Sequence, residues 1–94
     1  MSVATVRIPG SLRAQVGGAS TVEIEGETVQ EILESLASQH PGIRSRLLDD
    51  GGALRRFVNV FVDDEDIRHR DGVHTPVEPG QRVSILPAVA GGAN

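Results

Sequence analysis

Thr28-Val29-Gln30-Glu31-Ile32-Leu33-Glu34-Ser35-Leu36-Ala37-Ser38-Gln39 decides the fold. Val29, Ile32, Leu33, Leu36 and Ala37 recur at the spacing of one helical face and form a continuous apolar stripe. Gln30, Glu31, Glu34, Ser35 and Ser38 take the wet face. Thr28 with Glu31 makes a capping-box pattern, in which each side chain satisfies a donor at the helix start. His40-Pro41-Gly42 ends the helix, because proline disfavours helical geometry in the residue before it. Such a stripe needs a flat apolar partner.

The flanking segments supply one. Val3 to Ile8 alternates Ala4, Val6 and Ile8 with Thr5 and Arg7, and Thr21 to Glu25 alternates Val22 and Ile24 with Thr21, Glu23 and Glu25. Period two with β-branched residues reads as strand, so these two segments are expected to form an antiparallel pair. Ser11 to Val16 between them reads as a short helical turn. Beyond the helix, Ile43 to Leu48 is expected to make another turn. Phe57 to Val62 is the strongest strand, with Val58, Val60 and Val62 on one side and Phe57, Asn59 and Phe61 on the other. Asp63-Asp64 turns the chain, Ile67 falls in a short strand, and Arg82 to Leu86 is the last strand. The order fits an α+β, β-grasp (ubiquitin-like) arrangement: a mixed sheet of four to five strands packed on one main helix, with the first and last strands side by side. Residues 1–87 form the domain, and 88–94 form a flexible tail of mostly small side chains.

Length and composition narrow the function. With 94 residues there is room for one domain and a small core, so a deep catalytic pocket would be costly. The formal charge of −4 argues against a nucleic-acid partner, which needs a basic stripe. Cysteine is absent, which removes disulfides, cysteine-ligated metals, thiol nucleophiles and side-chain persulfides together. No apolar run approaches the roughly 20 residues that span a bilayer, and no signal peptide is visible. The expectation is a cytoplasmic module, not itself an enzyme, that acts through its surface or its ends.

Four constellations remain. Asp63, Asp64, Glu65 and Asp66 form an acidic run, but it lacks the alternating ligands and central glycine of a calcium loop and reads as a solvated turn. His40, His69 and His74 match no zinc spacing, so no metal site is assigned. Phe57, Phe61 and Leu86, if the valines face the core, lie together on the opposite sheet face as a docking patch. A register error of one residue would bury them instead. Gly91-Gly92 follows the last strand through a tail of small residues, which suits entry into a narrow channel where a Cβ would clash.

Val83-Ser84-Ile85-Leu86-Pro87-Ala88-Val89-Ala90-Gly91-Gly92 resembles the last strand and tail of the ThiS/MoaD sulfur-carrier family, and Arg56 to Asp66 is similar to the CysO-type carriers of cysteine biosynthesis. The resemblance implies that an E1-like enzyme adenylates the Gly92 carboxylate with ATP and that sulfur replaces AMP to give a thiocarboxylate. It implies no bound cofactor. It implies sulfur transfer on a PLP-dependent cysteine synthase or another sulfur-incorporating synthase, and product release by a JAMM-type metalloprotease. Gly91 and Gly92 would then carry the reaction, and Phe57, Phe61, Leu86, Pro87, Val89 and Ala90 would meet partners. A molybdopterin-synthase small subunit, a thiamin sulfur carrier and a ubiquitin-like protein modifier use a similar tail.

Ala93-Asn94 follow Gly92, so the glycine carboxylate is not free as encoded. The expectation is a pro-form cut between Gly92 and Ala93 by the JAMM-type enzyme. An interaction domain with an idle tail is the remaining alternative.

Overall fold

The computed structural model describes residues 3–87. Along the chain run β1 (Val3–Arg7), β2 (Thr21–Glu25), α1 (Val29–Gln39), α2 (Pro41–Leu47), β3 (Val58–Val62), β4 (Glu65–Asp66) and β5 (Arg82–Pro87), with 3-10 segments at Gly10–Val16, Ile67–His69 and Gly72–His74. The strands form one sheet in the order β2-β1-β5-β3-β4. β5 runs parallel to β1 and antiparallel to β3, so the first and last strands are neighbours at the centre of a mixed sheet. Among the described residues, no helix is long and apolar enough to cross a membrane.

The alternation in the sequence sets which face is buried. Ala4, Val6, Ile24, Val58, Val60, Val62, Val83 and Ile85 point into the core. The register matches them across strands, with Ala4 opposite Ile24, Val60 opposite Ile85, and Val83 between Val6 and Val62. Val22 is only half-buried, on β2 at one edge of the sheet.

Val29, Ile32, Leu33, Leu36 and Ala37 of α1 close the core, each no more than 2% exposed. Burying a side chain of Val, Leu or Ile contributes about 1.5–3 kcal/mol, against about 1 kcal/mol for a helix cap. Packing therefore decides that α1 forms, and the cap sets where it starts. The Glu31 N–H donates to Thr28 Oγ1 at 3.3 Å. The Glu31 carboxylate reaches one residue further back than a standard capping box and accepts from the Glu27 N–H at 2.9 Å.

Four sequence expectations need correction. The segment after His40 is a helix rather than a turn: α2 begins at Pro41, where its missing N–H costs nothing, and buries Ile43 and Leu47 against the rest. Ile67 is not in a strand. β4 ends at Asp66, and Ile67 opens a 3-10 segment that drops its side chain into the core, 2% exposed. Phe57 precedes β3 and sits in a turn, in which the Val58 N–H donates to the Arg55 carbonyl at 3.0 Å. Opposite this turn, β5 extends one residue beyond expectation, to Pro87.

Thr75 is the one buried polar side chain among the described residues. Its hydroxyl donates to the Gly72 carbonyl at 2.7 Å and accepts from the Asp71 N–H at 3.1 Å, so it carries no unpaired polarity into the core. Its carbonyl accepts from the Val29 N–H at 3.1 Å, which ties the start of α1 to the segment ahead of β5.

Candidate functional site

β5 leads from the middle of the sheet to residues 88–94. Its last residue, Pro87, stands opposite Val58 at the start of β3. Val89, Ala90, Gly91, Gly92 and Ala93 lie outside the described residues, as does the expected boundary of the tail. The part of the site open to description is the outer sheet face, away from α1, over which β5 runs.

One row of that face crosses all five strands: Thr21, Arg7, Ser84, Phe61 and Asp66 are successive register partners. Leu86 occupies the next outward position of β5, opposite Asn59. Phe61 is half-buried, whereas Leu86 is 49% and Phe57 47% exposed. The patch expected from the sequence therefore lies outside the core. Pro87 is half-buried beside it.

Phe61 and Leu86 are brought together and Phe57 is not. The first two line a groove of about 480 Å³ with Arg7, Pro9, Arg13 and Asp63. Phe57 is displaced from it by the turn that precedes β3. Arg13 reaches the groove because the 3-10 segment after Gly10 folds back, and its Nε donates to the Ile8 carbonyl at 3.0 Å. Sequence reading did not assign Arg7 or Arg13 to the site. The outward parity of Arg7 in β1 was a usable signal, whereas nothing local announces the placement of Arg13.

The far end of the groove is acidic and structurally committed. Asp63 takes a left-handed φ of 55° in the turn between β3 and β4, a conformation that Asp tolerates better than most residues. Its carboxylate accepts from the Arg82 N–H at 3.1 Å and from Gln81 Nε2 at 2.9 Å. The Arg82 backbone hydrogen bond, then the Gln81 one, hold its pKa below the ordinary carboxylate value. Asp66 is lowered likewise, first by side-chain and then by backbone hydrogen bonds from Arg68; their closest ion-pair contact is 3.0 Å, and the pair raises Arg68 in turn.

A wider hollow of about 590 Å³ lies between the end of β2 and α1, lined by Glu25, Glu27, Glu31 and Glu34. It adjoins the end of β2 that pairs with Val3, whereas Pro87 lies at the opposite end of the sheet. The grouping of acids there is a solvated face. Among the described residues, no three His, Asp or Glu side chains converge as a metal site would require. His40 joins α1 to α2, and His69 and His74 each end a 3-10 segment. The outer face has an apolar floor, two arginines at one end and structured carboxylates at the other.

Comparison with known proteins agrees with this architecture. The ThiS family model matches residues 6–92. Sulfur carrier protein CysO of Mycobacterium tuberculosis is 44% identical over 90 residues, covering 94% of this chain and 97% of the relative. Small archaeal modifier protein 3 of Haloferax volcanii is 38% identical over 65 residues, covering 69% of this chain and 70% of the relative. A chain in the crystal structure of the Amycolatopsis orientalis BexX/CysO complex superimposes with a TM-score of 0.85 at 46% identity, covering 94% of this chain and 98% of that one.

Proposed function

The chain belongs to the ThiS family and is CysO-like, and from that premise we propose that it carries sulfur as a thiocarboxylate on Gly92. The observation that carries this reading is the extent of the match: it runs from β1 through the tail to Gly92. Chemistry supports it. A chain without cysteine has no thiol to load, but a backbone carboxylate can hold sulfur once activated. A carboxylate is a poor electrophile. An E1-like partner would therefore join it to AMP from ATP, releasing pyrophosphate, and a sulfur nucleophile would displace the AMP. The domain contributes a reachable end and the outer sheet face as the place where the partner grips.

At least Ala93 and Asn94 follow Gly92. Hydrolysis of the Gly92–Ala93 bond, by a JAMM-type metalloprotease in this proposal, frees the carboxylate. The sulfur then passes to a PLP-dependent cysteine synthase or to another sulfur-incorporating synthase. CysO is named as a sulfur carrier, and the Amycolatopsis orientalis CysO is found with BexX. Both precedents support a role as co-substrate for partner enzymes.

The decisive experiment is intact-mass spectrometry. A chain ending at Gly92 is mixed with ATP, sulfide and an E1-like enzyme from the same source. The expected result is the mass gain of exchanging one oxygen for one sulfur. No gain with any such enzyme overturns the reading. The likeness to Small archaeal modifier protein 3 favours a second reading, conjugation of Gly92 to lysines of other proteins. That reading predicts a ladder of adducts on blots of cell extract, and the chain itself has no lysine to form lysine-linked chains.

A further inference from the structure

The geometry points to a second docking surface, the open edge of β2, whose occupant is an extended basic segment of a partner protein. β2 stands at one end of the sheet and pairs only with β1 among the described residues. Three hydrogen bonds fix which way its main-chain groups point. The Ile8 N–H donates to the Ser20 carbonyl at 2.8 Å, so the even-numbered positions from Ala4 to Ile8 face β2. The Thr5 N–H donates to the Gln81 carbonyl at 3.3 Å, and the Val3 carbonyl accepts from the Gly80 N–H at 3.4 Å, so the odd-numbered positions face the other way. By the register, Val22 and Ile24 spend their N–H and C=O groups on β1, and those of Thr21, Glu23 and Glu25 point away from the sheet. All three of these residues are exposed, and no backbone hydrogen bond from outside the sheet reaches them among the described residues. Such an edge supplies backbone partners for an added strand.

Charge selects the occupant. Side chains of an added strand opposite Glu23 and Glu25 share the outer face with those carboxylates, and a side chain opposite Val22 lies beside its half-buried apolar group on the inner face. At the Glu25 end the edge borders the hollow of about 590 Å³, where Glu27, Glu31 and Glu34 stand with the small side chains of Ser35 and Ser38. No arginine lines that hollow, and neither ion pair among the described residues involves any of these glutamates. Glu23 accepts from the Thr5 hydroxyl at 2.9 Å and Glu31 from the Glu27 N–H at 2.9 Å, but both donors are neutral, so both charges remain. A segment alternating Lys or Arg with apolar residues fits both faces, its cations meeting Glu23 and Glu25 and its apolar side chains covering Val22. A second copy does not fit: self-pairing along the whole strand, centred on Glu23, sets two Glu23 carboxylates against each other. A nucleic acid meets only like charge. The edge is two strands from β5, and its acidic end is opposite to Pro87, so a partner held here leaves the root of the tail clear.

The inference does not rest on the sulfur chemistry, and neither does its test. The isotope-labelled full chain is titrated by amide NMR with a synthetic heptapeptide alternating Lys and Val. Saturable shifts are expected at Thr21 to Glu25 and at Glu31, Glu34 and Ser35, with binding weakening about fivefold or more as salt is raised from low to physiological strength. Hydrogen exchange at the outward amides of Thr21, Glu23 and Glu25 should slow about tenfold in the saturated complex, because they gain acceptors. Glu23→Lys should abolish binding while leaving the rest of the spectrum in place. Glu23→Gln, a milder change, should weaken it, and it serves if the first variant fails to fold. A Glu-Val heptapeptide, and a Lys-Val heptapeptide N-methylated throughout, should both fail to bind. The proposal is overturned by no saturable shift, shifts mapping elsewhere, unchanged exchange at the three outward amides, equal binding of either control peptide, or undiminished binding by the Glu23 variants. It is also overturned if sedimentation without peptide shows a dimer in which those amides are already protected, since the occupant would then be a second copy.

Discussion

Ile85 and Leu86 are adjacent on β5 and face opposite sides of the sheet: Ile85 is 1% exposed and Leu86 49%. Ile85→Ala should cost about 2–5 kcal/mol by opening a cavity against the core. Leu86→Ala should stay within about 0.5 kcal/mol in denaturant unfolding. If the outer face is where the activating partner grips, Leu86→Ala should nonetheless slow thiocarboxylate formation about tenfold, equivalent to about 1.4 kcal/mol. Unchanged kinetics for Leu86→Ala would remove Leu86 from the recognition surface.

Gly26 separates β2 from α1 at a close approach. A Cβ there would lie 2.9 Å from the Ile32 backbone nitrogen and 3.0 Å from its side chain, whereas at Gly10 it would meet nothing within 4 Å. Gly26→Ala should therefore destabilise by about 1–3 kcal/mol through overpacking, and Gly10→Ala should be nearly silent. Thermal melts of the two variants side by side check this.

Asp63 and Asp66 both have lowered pKa values in the folded chain. A lowered folded pKa adds stability that is fully present above the ordinary carboxylate value of about 3.9 and is lost as pH falls below it through the folded value. Asp63→Asn keeps a residue that tolerates the left-handed backbone and removes the titration. The variant should show a shallower loss of unfolding midpoint than wild type as pH drops below that value. Parallel acid limbs would mean that Asp63 contributes no such linkage.

A chain ended at Ala90 retains every core residue found among the described residues. Its melting temperature should match that of a chain ended at Gly92, and under the proposed chemistry only the longer one should gain sulfur. A destabilised Ala90 variant would show that the tail has a folding role, and sulfur gain by that variant would exclude Gly92 as the reactive end.

How much of this was legible in the sequence depended on the length of each element. The α1 stripe needed no tertiary information, because Val29 to Ala37 repeats over enough turns to define a face. The parity of β3 was equally plain, and Val58, Val60 and Val62 are the buried set. Short elements were misread. α2 has seven residues, too few for a period to stand out, and it exists because Ile43 and Leu47 find the core. Ile67 carries β propensity but is drawn into a 3-10 segment by burial. At the site, Phe61 and Leu86 could be placed by alternation alone. The helical turn that holds Arg13 was legible, but its approach to the outer face depends on tertiary packing.

The placement of β5 between β1 and β3 has a bearing on synthesis. Among the described strands, the one that completes the sheet is made last, and its partner β1 is made first. Such long-range closure is slow to form, and it cannot occur while Arg82–Pro87 are still enclosed. A nascent chain therefore presents no finished outer face until β5 has emerged.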